Sequence, residues 1–346
     1  MEKEYKKNLI EHREIVKFIV MGILYCILFI LILEIYFLIC LNFSYTPNIT
    51  TYFNEVFEIK DRIALEKQSP KIIIVSGSNS WYSISAKEME NNLNIPGVNY
   101  AFSLDFYDYM FYRVKKVANP GDIILIPLEY EYYWHEDKTF LGRQGTKHRY
   151  IVNHDSEYFN NLTLFQKFNY NILRGEDIYL NIISQKYSPN LLFDPDTINE
   201  WGDETNNLVE NKKEFYAEPI KFPEEFVDTF PNYDGVREIS RFSKWCNEND
   251  ITLIATFPST VYFSEYESSE YQERFNLIKK FYNNLNVTII GEPEDSFYNI
   301  ESFYNSIYHL NNNSMYDRTM YFVDEFAKLK GIKILSLPTG QGLILK

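Results

Sequence analysis

Ile72-Ile-Ile-Val-Ser-Gly-Ser-Asn-Ser-Trp81 is the stretch on which the fold turns. Ile72 to Val75 are apolar and β-branched, and they end abruptly in a small, polar turn around Gly77. A short all-apolar run closed by a turn is the pattern of a strand buried on both faces of a parallel sheet. Helical spacing follows from Ser83 to Asn92. Ligands of such sheets gather at the carboxyl ends of the strands, where backbone N–H groups of a tight turn can meet an anion. Ser76, Ser78 and Ser80 stand there. The same pattern also describes an ordinary turn rich in small residues, so this stretch alone leaves its role open.

Working outward, the alternation continues. Ser85–Leu93 reads as a helix, Pro96-Gly97 as a turn and Val98–Ala101 as a second strand. Leu104–Val117 has helical spacing, Asn119-Pro-Gly121 breaks it, and Asp122–Leu128 is a third buried strand. This β-α-β-α-β order predicts a parallel, helix-covered sheet, hence an α/β domain over residues 71–346. An irregular insertion occupies about 129–223, with helical spacing over 162–186 and a polar, turn-rich part over 194–211. A long insertion after a strand's carboxyl end is typical of a lid or substrate-binding region. Regular structure resumes with a helix over Gly235–Asn249, a strand over Ile251–Thr256, a helix over Glu265–Leu285 and a strand over Val287–Ile290. A last helix is expected over Met315–Lys330, capped by Ser314 and stopped by Gly331.

Upstream, residues 1–16 are highly charged, and Phe18–Phe43 is almost entirely apolar with Glu34 its sole charge. Roughly 20 apolar residues span a bilayer as a helix. A cleavable signal peptide has an apolar core of only about 7–15 residues ending at a small-residue site; no Ala-x-Ala follows this longer run. Residues 17–43 therefore read as an uncleaved transmembrane helix. Lys3, Lys6, Lys7 and Arg13 precede it, which places residues 1–16 in the cytoplasm and the main domain outside. Residues 44–70 read as a membrane-proximal connector, partly helical from Tyr52 to Glu66.

Net charge is −14 with no basic cluster beyond the N-terminus, which excludes general nucleic-acid binding. Cys26, Cys40 and Cys246 form no metal or disulfide pattern. His135-Glu136-Asp137 are metal-capable but adjacent, and neighbours in sequence rarely converge on one ion. No metal or other cofactor is expected.

Acyl transfer by a serine needs a general base within hydrogen-bond reach and donors aimed at the developing oxyanion. Of the five histidines, His12 lies before the apolar run and His135, His148 and His154 lie in the insertion. His309 stands in Tyr304-Asn-Ser-Ile-Tyr-His-Leu-Asn311, a loop returning toward the sheet before the last helix. Ser76-Gly77-Ser78-Asn79, Val98-Asn99-Tyr100-Ala101, Pro120-Gly121-Asp122 with the strand running to Glu129, and Tyr308-His309-Leu310-Asn311 follow in that order. In this the chain resembles the SGNH (GDSL-like) hydrolase superfamily over roughly Lys71–Ser336. It is most similar to the membrane-anchored branch that serves cell-envelope polysaccharides, which includes the D-alanyl-transfer protein of teichoic acids and the alginate O-acetylation proteins.

The resemblance implies a three-layer α/β/α, flavodoxin-like sandwich and the chemistry of a serine esterase or O-acyltransferase. It puts Ser78 at the nucleophile position, His309 at the base, and Ser306 and Asn305, three and four residues before it, where the family carries its acid; Asn305 is the candidate to orient the ring, with Thr319 in the following helix. Asn79 and the Ala101 N–H fall among the oxyanion and substrate contacts. Glu129 replaces an asparagine donor and leaves the oxyanion hole one donor short, since an ionised carboxylate cannot donate. Asparagine in place of the acid costs about 10⁴-fold in one serine protease. Asp203 of Trp201-Gly-Asp-Glu204 is the candidate for a replacement acid from the insertion. The implied partners are an envelope polysaccharide or its acyl donor, the membrane, and a multispanning acyltransferase met through Glu34. The alternative is a catalytically degenerate SGNH-fold protein that binds glycan or assists envelope assembly.

Overall fold

The computed structural model describes residues 2–43, 48–136, 145–167, 170, 195–226 and 232–330. Most of the helical spacing over 162–186, and Gly331, lie outside these residues. Helix α1 (Glu2–Phe43) contains one segment, His12–Tyr36, long and apolar enough to cross a membrane. Its charged start belongs to the same helix. Helix α2 follows at Asn48–Glu66.

Five strands form a parallel sheet: β1 (Ile72–Ile74), β2 (Gly97–Asn99), β3 (Ile123–Ile126), β4 (Thr252–Thr256) and β6 (Thr288–Ile290). Their spatial order is β2-β1-β3-β4-β6. The chain runs outward from β1 to β2 and returns across it to β3, so the direction of winding reverses between β1 and β3. Ile73 sits between Val98 and Ile124 in register. A small second sheet pairs β5 (Thr260–Val261) with β7 (Phe297–Tyr298).

Alternation along β1 feeds two cores. Ile72 and Ile74 pack with α4 (Ala86–Leu93) and the last helix; Ile73 and Val75 pack with α2 and other helices on the opposite face. Both faces are covered, which is why the strands read as unbroken apolar runs. At the opposite end of β1, Lys71 and Asp122 form a fully buried ion pair at 3.0 Å, and the Lys71 N–H also donates to Asp122. Gly121, at φ +87°, makes the turn that brings Asp122 there.

Several element boundaries differ from expectation. Helix α3 (Ser78–Ser83) begins directly after Gly77, and α4 is a separate helix capped by Ser85. The span 104–117 is split: Leu104–Phe106 is a 3₁₀ turn, and α5 (Asp108–Val114) restarts after Tyr107, which stands at φ +36°. Helices α6 (Gly145–His154) and α7 (Ser156–Asn161) lie in the insertion. Beyond it come α8 (Asp234–Glu248), α9 (Ser269–Asn284) and α10 (Asn312–Lys330). Asn311, rather than Ser314, caps α10: its side chain accepts from the Ser314 N–H at 3.1 Å.

The connector expected over 44–70 does not describe α2. Val56 and Phe57 are fully buried and Phe53 nearly so, all within the main core. Lys60 is also fully buried and donates to the carbonyls of Asn99 (2.9 Å) and Gly202 (2.8 Å). Burial pushes its pKa down to about 7, opposed by the charges of Asp203 and Glu204. Helix α2 is thereby stitched to β2 and to the insertion.

Candidate active site

The site lies at the carboxyl end of β1, where the winding of the sheet reverses and doubly wound folds leave a crevice. Gly77 caps α3 in extended conformation, so Ser78 is its first residue. Only a residue without Cβ fits at 77, because a Cβ would stand 2.4 Å from Glu129 Oε1 and 2.8 Å from the Leu104 nitrogen. Ser78 is half-buried while its neighbours Gly77, Asn79 and Ser80 are buried.

His309 comes from a closed loop. Phe303 and Leu310 form an antiparallel bridge, and the Tyr304 N–H donates to the His309 carbonyl at 2.7 Å. This loop sets the imidazole between two partners. Its Nδ1 lies 2.6 Å from Asn305 Oδ1 and its Nε2 lies 2.8 Å from Ser78 Oγ. The amide oxygen accepts a proton carried on Nδ1, which leaves the Nε2 lone pair facing the serine hydroxyl. The structure thus brings together three residues drawn from positions 78, 305 and 309. Desolvation by burial pushes the His309 pKa down to about 3, so the ring is neutral near pH 7.

The other expected site residues take different positions. Asn79 is fully buried, and its amide nitrogen donates to the Ser259 carbonyl (3.0 Å), Ser259 Oγ (2.9 Å) and the Tyr308 carbonyl (3.3 Å). It fastens the Ser78 turn to the histidine loop. The Ala101 N–H donates to Asn99 Oδ1 at 3.2 Å, so it is not aimed at an oxyanion. Glu129 accepts from the N–H groups of Gly77 (3.0 Å) and Asn79 (2.8 Å), acting as a clasp on the turn. Asp203 is not the replacement acid. Its oxygens accept from Ser85 Oγ and the N–H groups of Ala86 and Lys87, which satisfies the start of α4.

Some contributors were missed from the sequence. Ser83 and Ser259 hydroxyls meet at 2.7 Å and both bond the Tyr308 carbonyl. Asn207, from the insertion, donates to the carbonyls of Tyr82 (3.2 Å) and Leu310 (3.0 Å), joining α3 to the histidine loop. The Tyr308 hydroxyl donates to Glu131 at 2.8 Å. Nothing in the residue pattern marks these, apart from Phe257-Pro-Ser259 following β4 at the same sheet edge.

With Gly77 and Asn79 engaged by Glu129, the intervening Ser78 N–H takes no partner among the described residues. Leu104 opens a 3₁₀ turn, so its N–H lacks an intrahelical acceptor, and its nitrogen stands close to Gly77. Both nitrogens lie beside the same turn. Among the described residues no group of three His, Cys, Asp or Glu side chains converges to hold a metal ion. His135 instead stacks on Tyr107, with ring centroids 3.6 Å apart. Comparison of the chain with protein families, characterised proteins and solved structures finds no match.

Proposed function

We propose that this chain is a membrane-anchored, extracytoplasmic SGNH-like serine esterase or O-acyltransferase that acts on acyl groups of a cell-surface polysaccharide. The observation that carries this reading is the continuous relay from Ser78 Oγ through His309 to Asn305, with contacts of 2.8 and 2.6 Å. Distances of about 2.6–3.2 Å are what proton transfer from a nucleophile to its base requires. The sheet order, which becomes 2-1-3-4-5 when the five strands are counted alone, is that of flavodoxin-like doubly wound folds and supports the family resemblance. The apolar helix α1 supports the anchor.

In this reading Ser78 Oγ attacks the acyl carbonyl as its proton passes to His309 Nε2. The N–H groups of Ser78 and Leu104 receive the negative charge on the carbonyl oxygen. Collapse of the tetrahedral intermediate breaks the ester bond, and the departing alcohol takes the proton from Nε2. Water or a sugar hydroxyl then gives its proton to His309 and attacks the acyl-serine; the second tetrahedral intermediate collapses, the bond between Ser78 Oγ and the acyl carbon breaks, and His309 returns the proton to Ser78 Oγ. Envelope polysaccharide or its acyl donor is the proposed partner, and a multispanning acyltransferase is the proposed membrane partner.

The neutral Asn305 in the acid's place favours a second reading, an envelope protein that keeps the fold and binds glycan without turnover. A fluorophosphonate probe on the full chain in detergent micelles separates the two. Labelling of the wild type that Ser78→Ala and His309→Ala both abolish is the expected result. A wild type that is folded by circular dichroism yet takes no label, or a label that survives Ser78→Ala, overturns the enzymatic reading.

A further inference from the structure

Asn305 orients the imidazole but brings no charge, so the relay lacks what a carboxylate supplies when the ring is protonated. The groups around His309 show what takes its place. From α3 come Ser78 and Tyr82; from its own loop come Asn305, Tyr304 and Tyr308, whose hydroxyl is engaged by Glu131. Glu129, on the turn after β3, is turned toward Gly77 and Asn79. Glu204, from the insertion, bears on Tyr82 and not on the imidazole. No ionised side chain is bonded to the ring.

Tyr82 is the exception in geometry. It lies four residues after Ser78, on the same face of α3. Its ring stacks on His309 with centroids 4.2 Å apart and planes only 9° from parallel. On its own flank Tyr304 lies 6.0 Å away at 16°, and Tyr82 is buried, so the stack cannot open without unpacking α3. An aromatic face carries partial negative charge and attracts a cation set over it within about 6 Å.

We propose that Tyr82 is a positioning residue for the relay, whose ring face supports the imidazolium form of His309 in place of the missing carboxylate. Its contact is with the face of the imidazole, whose two ring nitrogens are engaged by Asn305 and Ser78. Its effect on the neutral ring is packing, and its effect on the protonated ring is electrostatic, so it favours the state that exists only after proton transfer. A contact of this kind is worth about 2- to 30-fold in rate. The proposal rests on the serine-esterase reading for its consequence, although the ring contact itself does not.

The test compares Tyr82→Phe, which keeps the face, with Tyr82→Leu, which removes it. Both are made in the full chain in micelles, in the wild-type background and with Asn305→Asp, which brings the His309 titration into an accessible range. His309 is followed by NMR of ¹⁵N-histidine-labelled protein and assigned by the signal lost in His309→Gln. The expected result is a lower His309 midpoint in Tyr82→Leu than in Tyr82→Phe, with slower fluorophosphonate labelling by about 2- to 30-fold. Tyr82→Phe is expected to label within about twofold of wild type, and Asn305→Asp to restore part of the rate lost in Tyr82→Leu. Equal midpoints for the Phe and Leu variants, or a Phe variant as impaired as Leu, overturn the proposal. Since the NMR midpoint needs no turnover, absence of labelling in the wild type counts against the esterase reading alone.

Discussion

Glu129 holds two of the three consecutive N–H groups around Ser78 while itself almost wholly buried. Burial pushes its pKa up from the ordinary 4.5 to about 7, and the N–H bonds offset only part of that push. A carboxyl whose folded pKa is raised favours folding fully below its unfolded value, and that contribution is lost as pH rises through the folded value. Urea unfolding of wild type and Glu129→Gln at several pH values measures it. Between pH 4.5 and 7 the wild type is expected to lose stability relative to the variant by on the order of 3 kcal/mol; a constant difference across that range sinks the assignment. At this scale the meeting of Ser78 and His309, with Asn305 beside them, is an expectation of the SGNH resemblance; the turn after β1 and the histidine loop, each taken alone, leave it open. The clasp is not legible. Glu129 after a strand looks the same whether it faces water or two backbone N–H groups.

Asp203 belongs to the scale of the element. With Ser85 Oγ and the N–H groups of Ala86 and Lys87 bonded to it, this carboxylate completes the start of α4 from a distant part of the chain. Asp203→Ala leaves those donors without their buried acceptor and is expected to cost about 2 kcal/mol. The labelling rate of Ser78 per folded molecule should stay within about twofold of wild type, since Asp203 is outside the relay. A thermal melt and a labelling time course on the same sample check both halves; a large rate loss without a stability loss would return Asp203 to the chemistry. Strands were the easiest elements to read, because Ile72–Ile74 and Ile123–Ile126 are apolar throughout. Helix ends were harder. The break at Tyr107 carries no glycine or proline, and the cap on α10 depends on Asn311 reaching forward to Ser314.

Helix α2, read from the sequence as a partly helical connector, packs into the main core. Amphipathic spacing reveals that a helix has an apolar face but not which core receives it. Phe53, Val56 and Phe57 are buried there, and full burial of such a side chain contributes about 1.5–3 kcal/mol. Their sum, roughly 5–9 kcal/mol, rivals the typical stability of about 5–15 kcal/mol for an entire domain. A chain trimmed to begin at Asn48 is therefore expected to fold and melt cooperatively, and one trimmed to begin at Lys71 to aggregate or lack a cooperative melt. Equal melting of the two would show that α2 is dispensable. The same packing sets a working radius. Phe43 and Asn48 are joined by five peptide steps of 3.8 Å, at most about 19 Å. From α2 the rings of Phe53, Phe102, Trp81 and Tyr82 lead in successive contact to the imidazole. Where α1 crosses a bilayer, Ser78 is on a short leash and stays within a thin layer beside the lipid.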